Sequence, residues 1–179
     1  SILHQTLKPS EVVIVEDGPL TPELYQVLEK LEAQSSIPIK RCPLEQNRGL
    51  GLALQYGVLQ CQYDVIARMD TDDIAVEDRF EQQFDLMEKE NLDLLGGHIA
   101  EFINQPDEIV SYRRVPIKHE DIVAYQRMRS AFNHMTVMFK KEMVLKAGNY
   151  EDGLYMEDDL LWLNMISAGA RTGNVDQIL

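Results

Sequence analysis

The chain has 179 residues, 45% of them hydrophobic, enough for one domain with a sizeable core and too apolar for a disordered chain. Thirty acidic residues against 17 basic give a formal net charge of -13. That balance argues against nucleic acid as a partner, offers no polybasic anchor for anionic lipid, and accompanies no stretch apolar and long enough to span a bilayer.

The pattern alternates strands and helices from the start. Val12-Val13-Ile14-Val15, inside a strand over 11–16, is a continuous apolar run of the kind found in parallel strands covered on both faces. Residues 22–33 form an amphipathic helix with Thr21 as N-cap, Pro22 at its first position, and Leu24, Val27, Leu28 and Leu31 on its apolar face. A short strand over 37–41 and a helix over 50–61 follow, with a strand over 64–69. A helix over 77–90 turns Phe80, Phe84 and Met87 inward, and a strand over 92–95 is closed by Gly96-Gly97. Residues 98–116 break the alternation and read as an excursion, a hairpin around Asn104-Gln105-Pro106-Asp107. Helices over 118–129, 142–147 and 157–168 and a strand over 136–139 complete the series. The predicted fold class is α/β: a three-layer α/β/α sandwich with a mostly parallel central sheet. Residues 1–179 read as a single domain. Ser1 is not a methionine and the chain stops on Ile178-Leu179, so it is expected to be cut from a longer protein at both ends. Two cysteines, Cys42 and Cys61, fit neither a disulfide framework nor a zinc pattern and read as free thiols in a reducing compartment.

Four segments carry chemistry. Val65-Ile66-Ala67-Arg68-Met69-Asp70-Thr71-Asp72-Asp73 runs from an apolar strand into three carboxylates within four positions. Such acids repel one another unless compensated, and Mg²⁺, Mn²⁺ and Ca²⁺ prefer carboxylate oxygens. An extended backbone would put Asp70 and Asp72 on one face. Glu16-Asp17-Gly18 follows the first visible strand, where a carboxylate can accept hydrogen bonds from a base or ribose. Asn47-Arg48-Gly49-Leu50-Gly51 precedes a helix whose N-terminus favours anions, with Arg48 in reach of a phosphate or base. Glu157-Asp158-Asp159 opens a helix beside Trp162, the only tryptophan, and a carboxylate there can act as general base. Each segment also has an ordinary structural reading, as a strand-to-helix turn or a helix cap.

Together, Val15-Glu16-Asp17-Gly18, Asn47-Arg48-Gly49-Leu50, Asp70-Thr71-Asp72-Asp73, and Glu157-Asp158 with Leu161-Trp162 resemble, in order and spacing, the family 2 glycosyltransferases. The segments from Asn133 to Lys141 and Gly148-Asn149-Tyr150 resemble that family too, especially bacterial members that build capsule, exopolysaccharide or lipopolysaccharide. The resemblance implies a GT-A fold and an inverting transfer of sugar from a nucleotide-diphosphate sugar to a saccharide or lipid-linked saccharide acceptor, assisted by Mn²⁺ or Mg²⁺. It implies that Asp17 contacts the nucleobase with Glu16 and Arg48 nearby. Asp70 would face the ribose, Asp72 would hold the metal, and Asp73 would support either. Asp158 would be the catalytic base with Glu157 beside it, and His134 would lie near the diphosphate or acceptor. The family's first strand, with its Pro-x-Tyr-Asn-like turn, is not in this chain, and Asn164 stands where many relatives carry arginine. The implied location is cytoplasmic, at or near the inner face of the membrane. A sugar-phosphate nucleotidyltransferase and a catalytically inactive nucleotide-sugar-binding module are the alternatives. A haloacid-dehalogenase-type phosphatase fits less well, because its nucleophilic Asp follows the first core strand.

Overall fold

The structure, a computed structural model, describes residues 1–152 and 156–179. Seven strands and six α-helices follow one another as β1 (Val12–Glu16), α1 (Pro22–Gln34), β2 (Ile39–Pro43), α2 (Leu50–Gln60), β3 (Val65–Ala67), α3 (Arg79–Glu90), β4 (Leu94–Phe102), β5 (Ile109–Arg113), α4 (His119–Gln126), β6 (Met138–Lys140), α5 (Lys141–Lys146), α6 (Glu157–Ser167) and β7 (Thr172–Ile178). Strands β1 and β2 pair in parallel, Val12 opposite Ile39 through Glu16 opposite Pro43. The larger sheet runs β3-β6-β4-β5, with β7 also on β4.

Consecutive residues of a strand point to opposite faces, and the core divides accordingly. Leu94 of β4 and Phe139 of β6 join the cluster around Ile122, Val144, Trp162 and Met165, contributed by α4, α5 and α6. Their neighbours Leu95 and Met138 join the opposite cluster with Phe80 and Met87 of α3 and Val175 of β7. Helices therefore cover both faces of the sheet, the expected three-layer α/β arrangement. The sheet itself is mixed. Strands β1–β2 and β4–β7 are parallel, whereas β3–β6, β4–β6 and β4–β5 are antiparallel. The apolar runs predict a mostly parallel sheet because burial on both faces, which they do report, is only usually a mark of parallel strands.

Other differences have local causes. Strand β4 does not stop at Gly96-Gly97 but continues to Phe102, and the excursion is its hairpin to β5. The two glycines mark close approach instead. A Cβ on Gly96 would stand 2.9 Å from Asn174 Oδ1, and one on Gly97 would run into the Leu179 side chain. On α3 the buried stripe is Phe80, Gln83 and Met87, with Phe84 exposed. Gln83 can be buried because its amide donates to the Thr136 carbonyl (2.7 Å) and accepts from Arg79 (2.9 Å). Thr21 caps α1 as its position predicts, accepting from Leu24 N, but Leu24 and Val27 are exposed and α1 buries no residue fully. Among the described residues, no helix is long and apolar enough to cross a membrane.

Candidate functional site

Strand β3 ends at Ala67, three residues before the acids, so strand alternation does not govern Asp70 and Asp72. The chain is held there by Arg68 and Arg79. Arg68 N donates to the Val137 carbonyl, continuing the β3–β6 ladder by one residue, and the Arg68 guanidinium donates to Asp70 Oδ2 at 2.6 Å. Arg79 is almost wholly buried and donates to the Arg68 carbonyl (2.7 Å) and to Met69 Sδ (3.1 Å). Burial, and then the neighbouring Arg68, lower its pKa to about 10, which still leaves it charged at neutral pH. Asp72 is exposed and Asp73 half-buried. Burial first, and then the charges of Asp70 and Asp72, push the Asp73 carboxyl up. That mutual repulsion shows three carboxylates crowded at one turn. The oxygen-only set fits a hard divalent cation.

The loop acids of the first sheet are engaged differently. Glu16 is buried, and Arg41 donates to both of its oxygens (2.6 and 2.8 Å). That bidentate pair engages both oxygens of a carboxylate that the sequence places in the ligand site. Asp17 accepts from the backbone N–H groups of Arg48 (2.7 Å) and Gly49 (3.0 Å). It thereby takes up two N–H groups at the entrance to α2 that an anion would otherwise use. Gly18 makes this possible: at φ 95° it lies so close to the next loop that a Cβ would stand 2.7 Å from Asn47 N. The Arg48 side chain is exposed at the same entrance.

Helix α6 begins at Glu157, with Glu157, Asp158 and Asp159 in its first turn. Its inner face is anchored by Trp162, fully buried among Phe132, Phe139, Tyr150 and His134 at centroid distances of 5.7 to 6.4 Å. Glu157 is buried and Asp158 half-buried. Burial pushes the Asp158 carboxyl up, backbone N–H groups of the first turn pull it down, and the charges of Asp159 and Glu157 push it up again. His134 Nε2 shares a hydrogen bond of 2.9 Å with the Tyr150 hydroxyl, and its Nδ1 lies 3.9 Å from Asp158 Oδ2. Burial, and then Arg68, lower the His134 pKa to about 3. The ring is therefore neutral at pH 7, and its approach to Asp158 is not an ion pair there. One ligand atom each from His134, Glu157 and Asp158 lie within 4.8 Å of one another, compact enough to hold a metal ion.

Tyr150, hydrogen-bonded to His134, lies next to the α6 cluster. It is buried, and its hydroxyl feels Arg68, Asp158, Glu157 and Asp70, with burial the dominant cause of its raised pKa. The entrance to α2 is a further neighbour. A Cβ on Gly51 would collide with the Glu151 carbonyl and stand 3.6 Å from the Glu157 Cβ. Asp70, His134, Glu157, Asp158 and the start of α2 are thus brought to one end of the fold, while Glu16 is paired with Arg41. Arg68 and Tyr150 stand inside segments that motif reading quotes, but it gives neither of them a role. The spacing Arg68-x-Asp70 was a usable sign for the first; the second lies in an Asn-Tyr pair with no sequence mark of its role.

Known proteins resemble this chain in sequence and in fold. The family model of glycosyl transferase family 2 matches residues 1–148. An uncharacterized glycosyltransferase of Haemophilus influenzae is 43% identical over 180 residues, covering all of this chain and 66% of that protein. The amylovoran biosynthesis glycosyltransferase AmsE of Erwinia amylovora is 41% identical with the same coverage. The UDP-Gal:alpha-D-GlcNAc-diphosphoundecaprenol beta-1,3-galactosyltransferase of Escherichia coli is 37% identical, with 64% of that protein covered. The chain spans about two thirds of the length of these curated relatives. Among solved structures, S. aureus TarS 1-349 superposes with a TM-score of 0.76 at 17% identity, covering 98% of this chain and 52% of that one. The mannosyltransferase PcManGT from Pyrobaculum calidifontis, in complex with GDP-Man and Mn²⁺, gives 0.71 at 15% identity, covering 99% and 49%. These likenesses establish an α/β fold of the GT-A type, and with the matching family model they establish that the chain belongs to glycosyl transferase family 2.

Proposed function

We propose that this chain carries the donor site and the catalytic base of a glycosyltransferase that moves a sugar from a nucleotide-diphosphate sugar to a hydroxyl of a saccharide acceptor, with inversion. The observation that carries the reading is the packing of the α6 entrance, with Glu157 and Asp158, against the α2 entrance that Asp17 and Arg48 flank, where a Cβ on Gly51 would stand 3.6 Å from the Glu157 Cβ. One acid cluster sits in an open turn and the other at a half-buried helix start. The pathway is bacterial polysaccharide assembly, as the names of relatives in amylovoran biosynthesis (41% identity) and O-antigen biosynthesis (32% identity) suggest. The relative at 37% identity is named for a UDP-sugar donor and a lipid diphosphate-linked acceptor, so UDP is the first nucleotide to test.

In this mechanism Asp158 takes the proton of the acceptor hydroxyl. The freed oxygen attacks the anomeric carbon from the face opposite the leaving group. As the new carbon–oxygen bond forms, the bond to the nucleoside diphosphate breaks and inverts that centre. Asp17 and Arg48 stand by the nucleoside, and Asp70, held by Arg68, stands by the ribose. Asp72, with Asp73 behind it, would hold Mn²⁺ or Mg²⁺, which supplies Lewis-acid neutralisation of the leaving diphosphate. His134 is kept neutral and pinned by Tyr150, and its Nδ1 stands 3.9 Å from Asp158 without pairing its charge. A positioned base contributes about 10²–10⁴-fold.

A second reading makes His134, Glu157 and Asp158 the metal centre, because their ligand atoms are mutually within 4.8 Å. It is the weaker one, since an Asp158 lone pair given to a cation is no longer available to a proton. A thermal-shift panel of UDP-, GDP- and dTDP-sugars with and without Mn²⁺ tests the donor, because a ligand bound only by the native state raises its stability. One nucleotide should stand out and do so only with Mn²⁺; no shift with any of them overturns the reading. Donor binding without transfer or hydrolysis would mark the chain as a binding module instead.

A further inference from the structure

Strand β5 is an outer strand of the larger sheet: β4 holds one of its edges, and among the described residues no strand pairs with the other. All five of its residues, Ile109 to Arg113, are exposed, and Ile109, Val110 and Tyr112 are large apolar or aromatic side chains. It pairs only with the last four residues of β4, Ile99 to Phe102. A two-stranded ribbon of that kind is marginal in water without a further strand or a covering layer. The open edge has backbone groups to offer. Arg113 turns its carbonyl inward, where it accepts (3.4 Å) from Asn133 Nδ2, which also donates to the Gly97 carbonyl of β4. Successive residues of a strand direct their N–H and C=O to opposite sides, so Tyr112 presents its own outward. Val110 falls where the β4–β5 register slips and has no partner on β4.

Open edges are usually guarded against pairing by charges, a proline or a bulge. The charges around β5 are arranged differently, with opposite sign at its two ends. Asp107 and Glu108 precede the apolar stretch, Arg113 and Arg114 follow it, and all four are exposed. Among the described residues, none of the four lies within 4.0 Å of an opposite charge. Glu108 has only a long hydrogen bond from Asn104 (3.4 Å). A parallel copy of the strand would set acid against acid and arginine against arginine. An antiparallel copy meets the reverse order. Pairing about Ser111 sets Glu108 opposite Arg114, Val110 opposite Tyr112 and Ser111 opposite itself, and two-fold symmetry makes each unlike pair twice. Directly opposed pairs of opposite charge, and of aromatic with β-branched side chains, are the ones that stabilise a sheet. The edge is short, so the association is a weak one.

We propose that β5 is a self-association edge: two copies of this chain join antiparallel along it, and the larger sheet continues from one copy into the other. The occupant is a second copy because the charge order of residues 107–114 is complementary to its own reverse. The inference is independent of the function proposed above, whose residues all lie outside this segment.

The test is sedimentation equilibrium of the chain from about 1 to about 100 µM, a range that covers weak association. Dimer should accumulate across it. Glu108→Arg and Arg114→Glu each set like charges opposite one another at two places in the dimer. Either alone should raise the dimer dissociation constant about tenfold or more. Mixed in equal amounts, the two variants should associate again, because every charge then meets its opposite. A chain carrying both exchanges should also dimerise like the parent. Recovery in the mixture shows as well that each variant is folded. A parent chain that stays monomeric at about 100 µM overturns the inference. A dimer that both single variants leave unchanged overturns it too, because the contact would then lie on another face. So does weakening by the single variants without recovery in the mixture or in the double exchange, because these two ends would then not face each other.

Discussion

The acids of the turn after β3 and the acids that open α6 carry the same functional group in opposite surroundings. Asp72 is exposed and Asp73 half-buried, crowded with Asp70 at the end of a strand, and the nearest cation, Arg68, is committed to Asp70. Glu157 is buried and Asp158 half-buried, at the N-terminus of a helix whose tryptophan is sealed in the core. Solvent-reached carboxylates that crowd one another gain most from a mobile cation. A carboxylate raised by burial gains most from a proton. In the function proposed above, this difference corresponds to separate tasks for the two clusters, one electrostatic and one acid–base, and each substitution below tests that division.

The largest effect should come from Asp158→Asn. Loss of the base should lower transfer by about 10²–10⁴-fold, read by product formation, while nucleotide titration is unchanged. The pH profile sharpens the point. Asp158 must be ionised to accept a proton, and burial raises its pKa. The acid limb of the activity profile should therefore fall above the ordinary carboxylate range. A limb inside that range would remove the link between burial and the role of the base.

Asp72→Ala should act on the other cluster. The Mn²⁺-dependent part of nucleotide affinity should fall by about tenfold to a hundredfold, the range seen even for residues one shell removed from a metal. Nucleotide affinity measured without Mn²⁺ should hardly move. Gly51→Ala tests the contact that brings the α2 entrance against the α6 entrance. The new Cβ meets the Glu151 carbonyl, and overpacking of this kind costs about 1–3 kcal/mol. Chemical denaturation should show that loss, and a stability equal to the parent would mean that the two entrances are not in contact.

The smallest effect concerns His134. Tyr150→Phe removes one hydrogen bond to the ring and should cost about 0.5–1.5 kcal/mol. The pH dependence of stability has a definite sign. The His134 pKa is lowered from 6.5 to about 3 by burial, so the unfolded chain binds the extra proton first. Its contribution to stability is full above pH 6.5 and is lost as the pH falls from there toward about 3. His134→Gln should flatten denaturation midpoints across that interval, and an unaltered slope would show that the ring is not held neutral.

Much of this division was legible in the sequence because its carriers are local. The helix starts at Thr21 and Glu157, the acid run after β3 and the alternation of apolar segments all act within a few residues of themselves. What escaped was long-range or polar. Strand β7 reads Thr172-Gly173-Asn174-Val175, with little apolar signal, because it is buried through hydrogen bonds. Asn174 serves Gly96 N and the carbonyls of Pro116 and Ala131, and Thr172 N donates to His119. The bidentate grip of Arg41 on Glu16 spans 25 residues, and no spacing rule reports such a pair. Arg113, Arg114 and Arg129 come to line one cleft, with Glu101 and Asp159, only after the β4–β5 hairpin and α4 are folded.

The most direct discrimination between the clusters is UDP titration, with and without Mn²⁺, into the parent chain, Asp72→Ala and Asp158→Asn side by side. A cation-holding turn and a proton-taking helix start predict that Asp158→Asn keeps the parent's Mn²⁺-dependent affinity and Asp72→Ala loses it. The reverse pattern, with Mn²⁺ dependence lost in Asp158→Asn and kept in Asp72→Ala, would place the metal among His134, Glu157 and Asp158 and contradict the division.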